Sequence, residues 1–408
     1  MEELHGSPGT EQQDEAAGPP PILVDDEVGL INALKPQNAG RTILVKPGTY
    51  RIGVPLTVPN GATLRGAGVM LFDDQGLPVK LDPHIRTTTI TASSEFKGNL
   101  VTLGHQSLLR TLILEGANQV GLDGEGRGGN VVAVASRHPN DIVSATIEEC
   151  ELINKIKSGG GPETDGPTGG AILAYTRNPE RGVAPPPHEG AQVTLALTRS
   201  VVRTRKEGKA VFAMNFASRG MVTVNLQKNE IGGPLDVIGG LSRPDGVRNA
   251  KTTIDSNGNH YSPQGESDVE AWQIFGGSSS PFGGNADTES NSVSVQSKDD
   301  QIENFQVGIV AIGGRRLPAS GTCSNNEVKL ELVNMTLATE PPGTAKDFVF
   351  EGARSFGPFP AGDNNTVVVD VLAGATPDPL FRIDIHDAGF GTVNQLVFKG
   401  TLAAFTQG

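Results

Sequence analysis

The feature that most restricts this chain is a loose repeat of about 25 to 40 residues, the period range of stacked solenoid units. One unit runs Val211-Phe-Ala-Met, a Ser-Arg-Gly corner, Val222-Thr-Val-Asn-Leu, a Lys-Asn corner at 228–229, then Glu-Ile and Gly-Gly. Others follow the same plan: Val131–Ala135 with Ile142–Leu152, Ala171–Tyr175 with Val193–Val202, and Ile309–Ile312 with Val328–Leu337. Phe348–Phe350 pairs with Val367–Val371, and Phe381–Ile385 with Val393–Val397. A single strand of this kind cannot bury its inner face alone, so neighbouring units must stack on one another. Stacking places equivalent strands parallel and about 4.8 Å apart.

What fills such a coil follows from composition. Gly is abundant at 53 residues while aromatics are only 5%, so Val, Ile, Leu and Ala must form most of the interior. Alternation shows which way side chains point: in the last units Phe381, Ile383 and Ile385 share one side, and Arg382, Asp384 and His386 the other. A column of small or polar residues marks the second corner: Cys150, Ser200, Asn229 and Asn257, with Met335 as the exception. Asn and Ser satisfy backbone groups in tight corners.

Ahead of the repeats, Val24–Leu34 has Asp25 and Asp26 at its start and Val28, Leu30, Ile31 and Leu34 at helical spacing, with Pro36 and Gly40 beyond it. This predicts a helix. Then comes ILVKPGTYRIGVPLTVPNGATLRGAG, residues 43–68. It resembles the opening coils of the pectin-lyase-like superfamily of right-handed β-helix proteins, where a capping helix precedes a PxGTY strand and a G-x-T-L-x-G coil. The resemblance is good over residues 25–70 and rests on pattern beyond them. It implies an all-β, single-stranded right-handed parallel β-helix of about ten coils with an N-terminal helical cap. It implies no one activity, since the superfamily holds lyases, hydrolases, esterases, epimerases and non-enzymatic surface proteins. Residues 22–408 are read as this one domain, and 1–21, rich in Glu, Gln, Pro and Gly, as a disordered tail.

The net charge of -13 disfavours nucleic acid as a partner. No apolar stretch reaches the roughly 18 to 20 residues of a membrane span, and no secretory signal is visible in 1–21. An extracellular or periplasmic location follows only from the fold type. The two cysteines, Cys150 and Cys323, form no metal or disulfide framework, and two buried free thiols are favoured over one bridge.

Gly-, Pro- and Ser-rich segments at 155–170, 178–190, 276–290, 313–325 and 353–364 interrupt the coils after the first strand, and are expected to wall a groove above it. In most coils an arginine falls at that corner: Arg137, Arg177, Arg219, Arg243, Arg315 with Arg316, and Arg354, with Ser278–Ser280 interrupting the column in the Trp272 coil. Arg grips carboxylates bidentately, so such a row suits the uronate units of an acidic polysaccharide. The blander reading pairs these arginines with neighbours such as Glu180, Asp245 and Asp363.

Three further sets carry chemistry. If Phe348 and Phe350 align with Phe381 and Ile383, Glu351 lies beside Asp384 with His386 on the same face. Two carboxyls about 5–5.5 Å apart suit retaining glycosidases and about 6.5–9.5 Å inverting ones, while a solvated outer face is the plainer account. A lyase would need a base and a cation, for which Tyr175 with Arg177, or His138 with Arg137, are candidates. The family resemblance implies aspartate-held Ca²⁺ for a lyase and no cofactor otherwise, but neither Ser242–Asp245 nor Arg315–Pro318 completes the lyases' RxPxxR segment. Trp272 is a candidate stacking platform for a sugar ring, or half-buried packing. His105, His188 and His260 have no partner at ligand spacing, and Asn334 and Asn364 open glycosylation patterns. The expectation is a polysaccharide-binding β-helix, as lyase or glycoside hydrolase, with a non-enzymatic structural or surface-attachment protein as the alternative.

Overall fold

The computed structural model describes residues 19–94, 96, 98–116, 130–136, 138–155, 170–176, 189–204, 209–242, 246–263, 270–279, 286–317, 320–338, 346–355, 362–372, 383–385 and 394–400. They form a parallel β-helix. A full coil passes through three sheets, as in Val211–Met214 (sheet C), Met221–Gln227 (sheet A) and Glu230–Gly232 (sheet B), before returning to sheet C at Leu235–Ile238. Sheet A has 12 strands, sheet B 9 and sheet C 10. Every coil is a parallel crossover, the connection that is right-handed in about 98% of cases. The expected tail at 1–21 lies outside the described residues as far as residue 18.

Residues point inward because each strand alternates. In sheet A, Leu195, Val224, Ile254, Val295, Leu330 and Val369 occupy one register position on successive coils and are at most 1% exposed. Burying each contributes about 1.5–3 kcal/mol. The N-terminal end is closed by the helix Glu27–Ala33, which buries Leu30 and Ala33 but leaves Val28 and Ile31 exposed. Its N-cap is Asp26, whose carboxylate accepts from Gly29 N–H at 2.6 Å.

Two corners repeat, and each is held by a ladder. Between sheets A and B, Glu149, Arg199, Lys228, Asp299 and Asn334 all adopt positive φ, as does Gly258. The following residue turns inward and links to the next coil. Cys150 N–H donates to Ser200 Oγ at 3.1 Å, Ser200 N–H to Asn229 Oδ1 at 2.9 Å, Asn229 N–H to Asn259 Oδ1 at 2.9 Å and Asn259 N–H to Asp300 Oδ1 at 2.7 Å. The rung in the fourth coil is thus Asn259, not Asn257, which is exposed on the strand before it.

The second ladder lies between sheets C and A, and its sequence signal, an Asn opening each alternating strand, is NSVSV, NEVKL, NTVVV and NQLVF. Asn291, Asn326 and Asn365 each donate from N–H and Nδ2 to the Oδ1 of the next rung, where described, ending on Asn394. Glycines make room for it: a Cβ on Gly277 would stand 2.6 Å from Asn326 Oδ1, and one on Gly314 2.7 Å from Asn365 Oδ1. These Gly-Gly pairs change the expected loops. Residues 276–279, 313–316 and 353–355 are not loop but the continuing ends of strands Glu270–Ser279, Val307–Arg316 and Lys346–Ser355. Both cysteines are buried and free.

Candidate functional site

Sheet C carries the first strand of each coil. Its inner residues join the main core, while its outer residues form two rows set by register. One row runs Thr57, Thr102, Ala133, Leu173, Phe212, Asp236, Gln273, Val310 and Val349. The other runs Ala135, Tyr175, Met214, Ile238, Phe275, Ile312 and Glu351. Apolar members of the two rows make a second hydrophobic cluster with Phe216 and Leu241, separate from the core. Tyr175 meets Phe216 edge-on at 6.2 Å.

Charged groups gather at the later coils of this face. Lys209 precedes its sheet C strand and Glu270 opens its own, just before the inward pairs Ala210-Val211 and Ala271-Trp272. Lys209 Nζ stands 3.4 Å from Asp236 Oδ1. Asp236 is 8% exposed, and that oxygen accepts no hydrogen bond. Gln273, the register neighbour of Asp236, donates from Nε2 to Glu270 Oε2 at 3.0 Å. Burial pushes the Glu270 carboxyl above its ordinary pKa; the Asp236 charge adds to this, while Lys209, the Gln273 bond and Arg354 oppose it. Two strands on, Arg354 holds both oxygens of Glu351, with Nε at 2.6 Å from Oε2 and Nη2 on Oε1. Glu351 is 2% exposed. Arg315 lies over the Phe275 ring at 3.9 Å and donates from Nε to Ser278 Oγ at 3.0 Å.

Against the expected sites, the structure separates several residues. Trp272 is not on a groove floor: it is fully buried inside the coil, edge-on to Tyr261 at 5.3 Å, because the corner at Ala271-Trp272 turns both residues inward. The expected register of the last coils is off by two. Phe348 and Phe350 pair with Ile383 and Ile385, so Asp384 lies beside Val349 rather than Glu351. His386 lies outside the described residues, as do Arg137, Arg177 and Arg243. Arg219 sits at a positive-φ corner before sheet A, 70% exposed, with Nη1 at 3.4 Å from Glu189. Arg315 and Arg354 are register neighbours, the part of the arginine column that the described residues bring together. Tyr175 is on the outer face, in the row that ends at Glu351.

The residues that sequence reasoning passed over are Lys209, Asp236, Glu270 and Gln273. Asp236 interrupts the apolar run Leu235-Asp-Val-Ile238, and that interruption was its signal. Glu270 gave none, since its place depends on the corner geometry. His260 has partners after all: its Nδ1 lies 2.8 Å from Glu230 and its Nε2 3.4 Å from Glu303, on the outer face of sheet B. His188 is outside the described residues.

Among the described residues no group of three or more His, Cys, Asp or Glu side chains is arranged to hold a metal. Arg354 occupies Glu351 and Lys209 faces Asp236, so these carboxylates do not fit Ca²⁺. No helix among them is long and apolar enough to cross a membrane.

No family model matches the chain, and no curated protein sequence does. Solved structures with a similar course include the A-module of the Azotobacter vinelandii mannuronan C-5 epimerase AlgE6, 13% identical, covering 93% of this chain and 97% of that one with a TM-score of 0.39. Another is the catalytic unit of a thermostable GH87 α-1,3-glucanase from Streptomyces thermodiastaticus strain HF3-3, at 12% identity, 97% and 73% coverage and a TM-score of 0.28. A third is the PL6 family polysaccharide lyase Pedsa3628 from Pseudopedobacter saltans, at 11%, 93% and 92%, and 0.25. These superpositions are loose, and the functional reading rests on the sheet C face instead.

Proposed function

We propose that the protein is a carbohydrate-active β-helix protein that engages an acidic polysaccharide along the outer face of sheet C. The observation that carries this reading is the Asp236–Glu270 pair. Two carboxyls share one small region, one facing Lys209 and one raised by burial. A carboxyl raised by burial beside a second carboxyl that faces an ammonium suits the roles of acid and base. Glu270 is then the proton donor. Asp236 is the base, held beside the Lys209 ammonium through Oδ1. Arg315 and Arg316 lie half-buried on the strand beside Glu270 and supply positive charge for uronate carboxylates, while Arg354 is engaged by Glu351. Glycan cleavage by elimination or by hydrolysis both use this acid–base division. A polymeric substrate of this kind supports an extracellular or periplasmic location.

Incubation with a panel of acidic and neutral polysaccharides, read by absorbance of unsaturated ends and by reducing ends, tests the reading. New reducing ends with unsaturation mean a lyase, and without it a hydrolase. Either activity must fall in Glu270→Gln and Asp236→Asn while the melting curve is kept. Binding of an acidic glycan without cleavage supports the non-enzymatic alternative, which the closure of Glu351 by Arg354 favours. No product and no binding sinks the proposal.

A further inference from the structure

Glu270 and Gln273 stand three residues apart on one strand, a spacing that strict alternation would put on opposite faces. They meet because Ala271 and Trp272 both turn into the core, so the chain comes back out in phase at Gln273. Gln273 then takes its place in an outer row of sheet C, between Asp236 on one strand and Val310 on the next. On the coils before this pair the row holds Ala133, Leu173 and Phe212, and on the last coil Val349. An apolar side chain fits the position on those neighbouring coils, so packing does not call for an amide at Gln273.

Gln273 Nε2 donates to Glu270 Oε2 at 3.0 Å. Among the described residues this is the hydrogen bond that reaches the Glu270 carboxyl. The two cations nearby are engaged elsewhere: Lys209 Nζ stands 3.4 Å from Asp236 Oδ1, and Arg354 holds both oxygens of Glu351. Burial disfavours a negative charge on Glu270 and the Asp236 carboxylate adds to this, while Lys209, the Gln273 bond and Arg354 work against them. An ionised carboxyl can only accept, and an amide donates to it without bringing a charge beside Asp236.

We infer that Gln273 is a positioning residue of this site, aiming the Glu270 carboxyl and holding the carboxylate that forms when Glu270 gives up its proton. The inference rests on the reading of Glu270 as the proton donor. In either kind of cleavage the Glu270 O–H proton passes to the departing glycosidic oxygen, and the electron pair of that O–H bond stays on the carboxyl. With Oε2 taken by Gln273, Oε1 is the oxygen that carries the proton. The charge left behind forms next to Asp236, where it is least welcome, and the Gln273 N–H is already aimed at it. An interaction that strengthens as the charge develops lowers the barrier rather than tightening binding.

Two measurements on Gln273→Met test this. The first is a pH titration, without substrate, of the full chain labelled with ¹³Cδ glutamate, the Glu270 signal being the one absent from Glu270→Gln. Its midpoint should move up in Gln273→Met, because the lost bond favoured the ionised form. The second is cleavage of whichever polysaccharide the panel identifies. There kcat should fall about tenfold or more, the size of one hydrogen bond to a charged group, with KM little changed. The alkaline limb of the kcat profile, where Glu270 loses its proton, should move up with the titration. Should Gln273→Met fail to fold, Gln273→Asn, which keeps the amide but not the reach, takes its place. A midpoint that stays or moves down, or a limb that stays put while Glu270→Gln abolishes cleavage, overturns this inference alone. Full cleavage by Glu270→Gln, or none by the parent protein, overturns the proton-donor reading and this inference with it.

Discussion

Asp300 ends a ladder otherwise made of neutral rungs, and this gives a sharp test. It is fully buried, and burial pushes its carboxyl from 3.8 to about 6, against the lowering effect of its hydrogen bonds from Ser297 and Asn259. The folded state therefore holds a proton that the unfolded chain releases earlier. For a raised folded pKa, the stabilisation is complete below the unfolded value and is lost as pH rises through the folded one. A gap of about 2 units corresponds to about 3 kcal/mol lost between about pH 4 and pH 7. In Asp300→Asn, Oδ1 still accepts from Asn259 N–H and Nδ2, at 2.7 and 3.0 Å in the parent. The new Nδ2 can donate to the Ser256 carbonyl, whose register equivalents Leu197 and Leu226 accept from Asn229 and Asn259. The Ser297 hydroxyl, now a donor at 2.6 Å, must turn. Urea unfolding of both proteins across that pH range should show near-equal stability at the acid end. The variant should be ahead by about 1.5–2.5 kcal/mol at neutral pH once the Ser297 bond is discounted. Parallel stability curves, or a variant less stable at neutral pH, would refute the reasoning.

Arg354→Met should cost about 1–3 kcal/mol by chemical unfolding, because it strands the buried Glu351 charge, and Glu351→Gln on top should recover part of that. His260 is raised chiefly by its bond to Glu230, so the stability it contributes is complete below its ordinary 6.5 and lost as pH rises through the raised value; NMR titration of Glu230→Gln should show the His260 pKa moving down. Cys150, pushed up to about 12 by burial, and Cys323, raised likewise, should resist a thiol reagent in the native protein, with both of the chain's cysteines reacting once it is unfolded. Arg219→Ala should change stability by less than about 0.5 kcal/mol, since its pair with Glu189 is exposed.

The coil itself was legible in the chain because stacking demands the same apolar alternation in every unit, and alternation is written in the sequence. The cap helix was legible for the same local reason, through Asp26 and the buried Leu30. The sequence assigned Tyr175, Arg315 and Arg354 to the ends of first strands, and all three lie on sheet C. What it misjudged were positions whose direction depends on a corner. Trp272 follows Ala271 into the core because two consecutive residues turn inward there, which strict alternation does not allow for. Aligning Phe348 and Phe350 with Phe381 and Ile383 puts Asp384 beside Glu351, but hydrogen-bond register places it beside Val349. A two-residue slip keeps every side chain on the expected face, so the hydrophobic pattern cannot detect it. The meeting of Lys209, Asp236, Glu270 and Gln273 spans three coils and is set by strand register and corner shape, which only the stacked structure fixes. Local pattern determined that this chain coils and which face is outward; the tertiary stack decided which charged residues meet on that face, because neighbours across coils are distant in sequence.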